Sequence, residues 1–564
     1  MSQSSKNREQ EAYSRRGFIR TASTAMALGA GIGGTSLVAN SAQAREGVGQ
    51  FPPRAFDAYE LRRQAAQIHL RYSTGLSVQE TNGDDDRYAN ENYYASFTKT
   101  MEHDSLGDVN PQAYEALLAA VASGDPADFD AIPLDSSSVF SLANPQGAFR
   151  FVFSGLDGHA TRMAPAPSFR SATTAAEMGE LYWLALTRDV PFSAYASSRI
   201  VAAACHDLNS FSETVGPTNS EGKVTAGTVF RGDTVGDLTG PYVSQFLWKN
   251  VNYGPTLIEQ RYLAPQPGSD FMTEEAEWLN ILTGGQPMDG AVFETTRKYI
   301  YNNRSLAEYV HGDVLFQAYF NALLIALSYG PDALDEGNPY RDTITNQGGF
   351  TSLGGPWMID LVTQAGNLAL AGAWYQKWIA HRRLRPEVFG GRIQNHKLNR
   401  RSYEIHPDIL NCECIDRVFD ATGTYQLPMA YPEGSPTHPA YPAGHACVAG
   451  ACATVLKAVC NEGFIIPDPV VASRDGTALN PYSGSALTLG NEFNKLANNV
   501  SLGRDAAGVH YRSDGSEGIL VGEQQALALL QDYSLALNEQ FGGFHLTKFD
   551  GTPVVVINGR ILDA

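Results

Sequence analysis

Four long stretches in the second half of the chain, 357–382, 440–459, 492–502 and 516–540, read as helices, and each needs a partner to cover its apolar surface. That requirement points to a bundle. Ahead of them, 55–70 and 111–122 read as amphipathic helices on either side of the polar loop 80–90, and 173–187, 273–282 and 305–327 continue the helical pattern. The tail differs: 544–558 alternates apolar and polar residues around Asp550-Gly551, a hairpin signal. With neither an internal repeat nor a low-complexity linker in the sequence, the expectation is mainly α. It is a single large helical-bundle domain over 45–564 with a few short β-hairpins. Its parts are a scaffold at 45–300, a bundle bearing the candidate site at 301–540, and a hairpin tail at 541–564. The Gly- and Pro-rich connections 336–355 and 428–442 exceed simple turns, and loops of that length are often functional.

A formal net charge of -19 over 564 residues argues against a nucleic-acid partner, which needs a basic surface to replace counterions. Residues 1–44 stand apart as a targeting segment: Ser14-Arg15-Arg16-Gly17-Phe18-Ile19-Arg20 precedes a weakly apolar run that ends in Ala42-Gln43-Ala44. Paired arginines, a modest apolar stretch and an Ala-x-Ala site favour a twin-arginine export signal cleaved after Ala44 over a short basic arm. The expectation is a periplasmic or secreted protein, with no later run apolar enough to span a bilayer. Six cysteines, at 205, 412, 414, 447, 452 and 460, are too few for a disulfide-dense scaffold. Cys412-Glu413-Cys414 lacks zinc-ligand spacing, and Cys447 and Cys452 read as buried thiols.

Three segments concentrate the chemistry. The first, 374–386, carries Lys377, His381, Arg382, Arg383 and Arg385, more cations than a core-facing helix usually holds. Pro386 disfavours helix at Arg385. Lys377 then sits in the last turns of a helix while Arg385 projects from its end, aiming two cations into one space. A solvated basic helix end that complements the macrodipole accounts for the same residues. In the second segment, a proline-rich loop gives way to an apolar helix at Ala443-Gly444-His445. Unpaired amides at that N-terminus attract an anion, and glycine lets it approach the backbone. In the third, Arg504 and His510 diverge on an unbroken helix, so facing one site requires a break near Gly508. Asp514, four residues past His510, either fixes its tautomer or caps the next helix.

In this order, the three segments resemble the vanadium-dependent haloperoxidases and the acid phosphatases that share their anion site. The step from Lys377 to Arg385, His438-Pro439 followed by Tyr441-Pro442-Ala443-Gly444-His445, and Arg504 with His510 look most like the algal-type bromoperoxidases. Phe97-Thr98-Lys99, 103–109, 337–356 and Asp550-Gly551 also look family-like, so the resemblance spans essentially the whole chain after the signal.

The resemblance implies that His510 binds vanadium axially and that His445 acts as acid and base beside the apical oxygen. Lys377, Arg385 and Arg504 would hold the equatorial oxygens of vanadate, with the Gly444 amide donating to one of them. Vanadium, always oxidised, would serve as a Lewis acid toward hydrogen peroxide polarised by Lys377, and halide would leave as hypohalous acid that halogenates a small organic substrate. Trp374 would line the halide side, or simply the core. His381 completes the family-like surroundings, and His438 matches a second histidine of the bromoperoxidases, which favours bromide and iodide over chloride. The resemblance further implies an oligomer and admits a structural calcium ion in loop 338–349, where Asp342, Asn346 and Gln347 offer oxygen donors.

One residue departs from the pattern. The family usually reads Ser-Gly-His, and Ala443 removes a hydroxyl that would bond an equatorial oxygen, a loss of about 1.5–3 kcal/mol unless water or Ser435 replaces it. Two other readings use the same pocket: a periplasmic acid phosphatase with His510 as nucleophile and His445 as acid, and a non-catalytic oxyanion-binding relative. The length of the chain and Trp374, His381 and His438 speak for the haloperoxidase.

Overall fold

The fold is mainly α, as expected, in a computed structural model that describes residues 51–564; the export signal expected at 1–44 lies outside the described residues. A helix, Phe51–Ser73, opens the described chain, and residues 61–564 form one unit. Its centre is the helix Gly444–Val459, in which every residue except His445 is buried. This helix packs against Gly355–Tyr375, Leu489–Ala506 and Arg512–Ala536, so it has no solvent face and no need of an amphipathic stripe. Small residues allow the tight fit. A Cβ on Gly450 would stand 2.1 Å from the Ile519 carbonyl oxygen, and one on Gly522 would stand 2.0 Å from that of Cys447. The two backbones touch there. Cys447 and Cys452 are buried as expected, and burial pushes the Cys447 thiol up to about 12.

Two expected helices are broken, and both breaks face the candidate site. The 305–327 stretch is two helices, Asn303–Tyr309 and Gln317–Leu327. A capping box at Asn302 starts the first, and the intervening His311-Gly312-Asp313 turns away from the helical path. The 357–382 stretch is an α-helix only as far as Tyr375; Gln376–His381 is a π-turn that ends where Arg382 adopts φ 40°. Helices Arg199–Leu208, Pro386–Lys397 and Glu413–Thr422 are additional to those expected. Pro386–Lys397 is buried on all sides over its first ten residues, which erases the apolar periodicity that would have marked it.

The tail hairpin forms as the alternation indicates, Phe544–Thr547 pairing antiparallel with Pro553–Ile557, and Arg560–Asp563 adds a third strand. Two short antiparallel ladders, Val251–Tyr253 with Thr256–Ile258 and Val470–Ala472 with Leu479–Pro481, complete the strands among the described residues. No helix among them is long and apolar enough to cross a membrane.

Candidate active site

Local chain geometry delivers five side chains and one backbone amide to one place. Lys377 lies in the π-turn, a feature that recurs at functional sites because it displaces one residue from the regular helical register. Arg385, in extended backbone at φ -82° and ψ 153°, is the N-cap of Pro386–Lys397, with proline at the first helical position. Gly444 and His445 open the central helix. Arg504 sits in the last turn of Leu489–Ala506, after which Gly508, at φ 84°, turns the chain so that His510 falls between two helices.

The cations here are buried and have no carboxylate partner. Lys377 Nζ donates to the carbonyls of Pro439 at 2.6 Å and Ala440 at 2.9 Å. Arg385 donates to the His438 carbonyl at 2.9 Å, the Val509 carbonyl at 2.7 Å, His438 Nδ1 at 2.9 Å and His510 Nε2 at 3.0 Å. Arg504 donates to the Val310 carbonyl at 2.6 Å, and its buried Nε has no partner. Among the described residues no carboxylate forms an ion pair with any of the three. The cost shows in the acidity of Lys377 and Arg385. Burial first, then the Arg385 charge beside it, holds Lys377 well below the ordinary lysine range, and burial brings Arg385 down to about 9. Burial and then the Arg385 and Lys377 charges likewise hold His510 far down, so its ring is neutral.

The tautomer of His510 follows from what its neighbours can do. A guanidinium only donates, so Nε2 accepts from Arg385 and keeps its lone pair on the pocket side; Nδ1 donates to Asp514 Oδ2 at 2.9 Å. Asp514 stands in the first turn of Arg512–Ala536 rather than at its N-cap, and the same Oδ2 also accepts from the amide of the N-cap residue Tyr511 at 3.1 Å. Arg383 donates to Asp514 Oδ1 at 2.9 Å and to Glu177 Oε2 at 2.8 Å, in a fully buried array. Glu177 also accepts from the Ser513 amide at 2.7 Å. Glu177 was not singled out by the sequence, and Arg383 was given no role there beyond adding to the cations of 374–386.

Asp313 is the other omission. Its Oδ1 lies 3.0 Å from His445 Nε2, which leaves Nδ1 as the lone-pair nitrogen of that ring. Burial alone would raise the Asp313 carboxyl, but the hydrogen bond from His445 and the His445 and Arg504 charges bring it below its usual value, so it is ionised. Burial and the Arg504 charge lower His445, against the pull of Asp313. Asp313 also borders a cavity of about 340 Å³ lined by Tyr262, Leu263, Phe293, Arg297 and Tyr309. Gly312 within an apolar stretch was the available signal.

The remaining expected residues are placed as follows. The Trp374 indole lies 5.0 Å from the His438 ring, donates to the Ala143 carbonyl at 3.2 Å, and would stand 3.5 Å from a Cβ placed on Gly444. His438 is held neutral by burial and by Lys377 and Arg385. His381 packs edge-on to Tyr441 at 4.9 Å, with both ring nitrogens buried and unpartnered, and makes no hydrogen bond to the six residues. Ala443 is the N-cap of the central helix, and no side chain caps it, so the first-turn amides stay available. Ser435 hydrogen-bonds through its backbone to Lys99 and Glu387, and its hydroxyl has no partner. Asp342 accepts from the Thr343 hydroxyl at 3.0 Å, while Asn346 and Gln347 are exposed.

A histidine with an oriented lone pair, three unpaired cations and an open helix N-terminus define a class of protein that holds a tetrahedral oxyanion. The chain belongs to the vanadium-dependent haloperoxidase family. It is 35% identical over 529 residues to the vanadium-dependent bromoperoxidase of Ascophyllum nodosum, covering 89% of this chain and 92% of that protein. The vanadium-dependent bromoperoxidase of Corallina pilulifera is 32% identical over 593 residues, covering 89% and 98%. The family model described as the VCPO second helical-bundle domain matches residues 418–538. Among solved structures, the homohexameric second vanadate-dependent bromoperoxidase of Ascophyllum nodosum superposes with a TM-score of 0.85 at 29% identity, covering 96% of this chain and 98% of that one.

Proposed function

We propose that this chain is a vanadate-dependent haloperoxidase that oxidises bromide or iodide with hydrogen peroxide to hypohalous acid. The observation that carries the reading is the buried trio Lys377, Arg385 and Arg504, basic side chains with no carboxylate ion-paired to them, whose charge a bound anion would balance. The donors fit vanadate: His510 Nε2 would offer a lone pair to vanadium, and Lys377, Arg385, Arg504 and the Gly444 amide would hold its oxygens. When bound, vanadate supplies Lewis-acid activation of peroxide without changing oxidation state. Everything else falls to the protein. Asp514, itself clamped by Arg383, orients His510; Lys377 and Arg504 stabilise negative charge; His445 Nδ1 accepts and returns protons, with Asp313 holding the ring. Trp374 and His438 form the wall proposed for the halide.

Assaying bromination of a phenol dye by peroxide and bromide, before and after vanadate addition, tests this. Vanadate-dependent bromination is expected; phosphate-ester hydrolysis without bromination would instead favour the phosphatase. Assembly into an oligomer is supported by the homohexameric relative and is read by light scattering. Export is supported by Arg15-Arg16 and the Ala42-Gln43-Ala44 site, and is tested by replacing both arginines with lysine and following secretion. The calcium reading at Asp342, Asn346 and Gln347 has only the resemblance in its favour, and an unchanged melting temperature after chelation would remove it.

A further inference from the structure

Cys412 and Cys414 stand outside the oxyanion site, yet their Sγ atoms are 2.6 Å apart, closer than unbonded sulfurs rest against each other. Both are buried, at the start of the helix Glu413–Thr422. Asp207 faces them, and its carboxylate is already engaged: it accepts from the amides of Glu413 at 3.0 Å and Cys414 at 3.2 Å and from the Trp183 indole at 2.8 Å. Asp207 is thus the cap of this helix, supplied from elsewhere in the chain.

Two chemistries suit such a group. The ligand atoms of Asp207, Cys412 and Cys414 lie within 4.8 Å of one another, which is compact enough for a metal ion. A metal would need thiolates, however, and the surroundings oppose them: burial, then the bond and charge of Cys412, then the charge of Asp207 hold the Cys414 thiol well above its ordinary range. A disulfide adds no charge to the interior and leaves the three bonds of Asp207 intact. We propose that Cys412 and Cys414 are an oxidation site that closes to a disulfide under hypohalous acid, the small neutral oxidant that the proposed activity releases.

The step balances. The Cys412 sulfur takes the halogen from hypohalous acid, forming a sulfur–halogen bond while its proton and the hydroxide leave as water. The Cys414 sulfur then attacks Cys412, forming the S–S bond as halide departs and its own proton is released. Two thiols are oxidised and one hypohalous acid is reduced to halide. The second thiol is already in place, so the first sulfur is captured before it climbs to irreversible acids. The assignment of the oxidant rests on the haloperoxidase reading; the pairing itself does not.

The test uses the full chain, reduced and then given one equivalent of reagent hypobromous acid before denaturation and alkylation. Four of the six cysteines are expected to alkylate, and the tryptic peptide 402–417, which contains both residues of the pair, should be lighter by two hydrogens. Cys414→Ser should retain its circular dichroism spectrum and form no cross-link. Six alkylated cysteines, a cross-link elsewhere, or one equivalent of copurifying zinc that Cys414→Ser loses would each overturn the proposal. Repeating the oxidation with vanadate-loaded protein, peroxide and bromide separates the two readings: closure by the reagent alone keeps the pair and counts against the peroxidase activity.

Discussion

Arg383 and Arg385 are two residues apart in the same extended segment, both buried, and they serve opposite ends. Arg383 binds Glu177 and Asp514 and lies over the Tyr511 ring at 3.8 Å; against the opposing effect of burial, the Glu177 and Asp514 charges push its already high pKa higher. Arg385 meets only carbonyls and histidines, and burial lowers it to about 9. Residues two apart on a regular extended chain share a face, so what divides these two is not spacing but what each guanidinium meets: carboxylates for Arg383, carbonyls and imidazoles for Arg385. Burial does not separate structural from functional charge. Partnership does.

The contrast can be broken most forcefully at Arg383. Replacing it with methionine leaves Glu177 and Asp514 buried without their cation, and urea unfolding should show a loss of about 3–5 kcal/mol. Arg385→Met strands no carboxylate and should keep its unfolding midpoint, while bromide turnover falls about 10²–10³-fold. Equal destabilisation by the two would end the distinction. A smaller effect is expected from Asp313→Asn, about 10–100-fold in turnover. Because the Asp313 bond and charge raise the His445 pKa, their loss should also move the acidic limb of the pH–rate profile to lower pH.

Ala443 belongs to both regions, since it heads the helix facing the pocket while its amide donates to the Asp514 carbonyl at 2.8 Å. Ala443→Ser should tighten vanadate by about 1.5 kcal/mol, near tenfold, in equilibrium dialysis. The weakest lever is pH. Lys377 has a depressed pKa in the folded protein, and a bound oxyanion favours its protonated form. Phosphate binding should therefore take up protons, and affinity should fall by less than about tenfold per unit as pH rises through that range, as calorimetry in two buffers would show. For folding the sign is reversed: between the folded and unfolded pKa values the unfolded chain holds more protons, so the anion-free protein gains stability as pH rises there.

The points legible beforehand were those where a residue acts on its own neighbours. Pro386 marked where Arg385 leaves the helix, Gly508 marked the bend that frees His510, and the spacing of Asp514 allowed the contact found at 2.9 Å. Asp313 was hidden because the 305–327 pattern stays apolar across the break. Glu177 occupies a correctly anticipated helix, Ala172–Thr187, but its partner Arg383 is 206 residues away, and no local pattern records such a pair. The π-turn was equally invisible, because side-chain periodicity does not reveal which amide bonds to which carbonyl.

That turn makes chain length at 376–381 a design variable in its own right. A π-turn holds one residue more than an α-helical turn, so deleting one of these six, even one whose side chain is far from the chemistry, would close it to α-helical hydrogen bonding and abolish the displaced register that presents Lys377. The site is thus as vulnerable to a frame-preserving codon loss as to the replacement of a catalytic side chain.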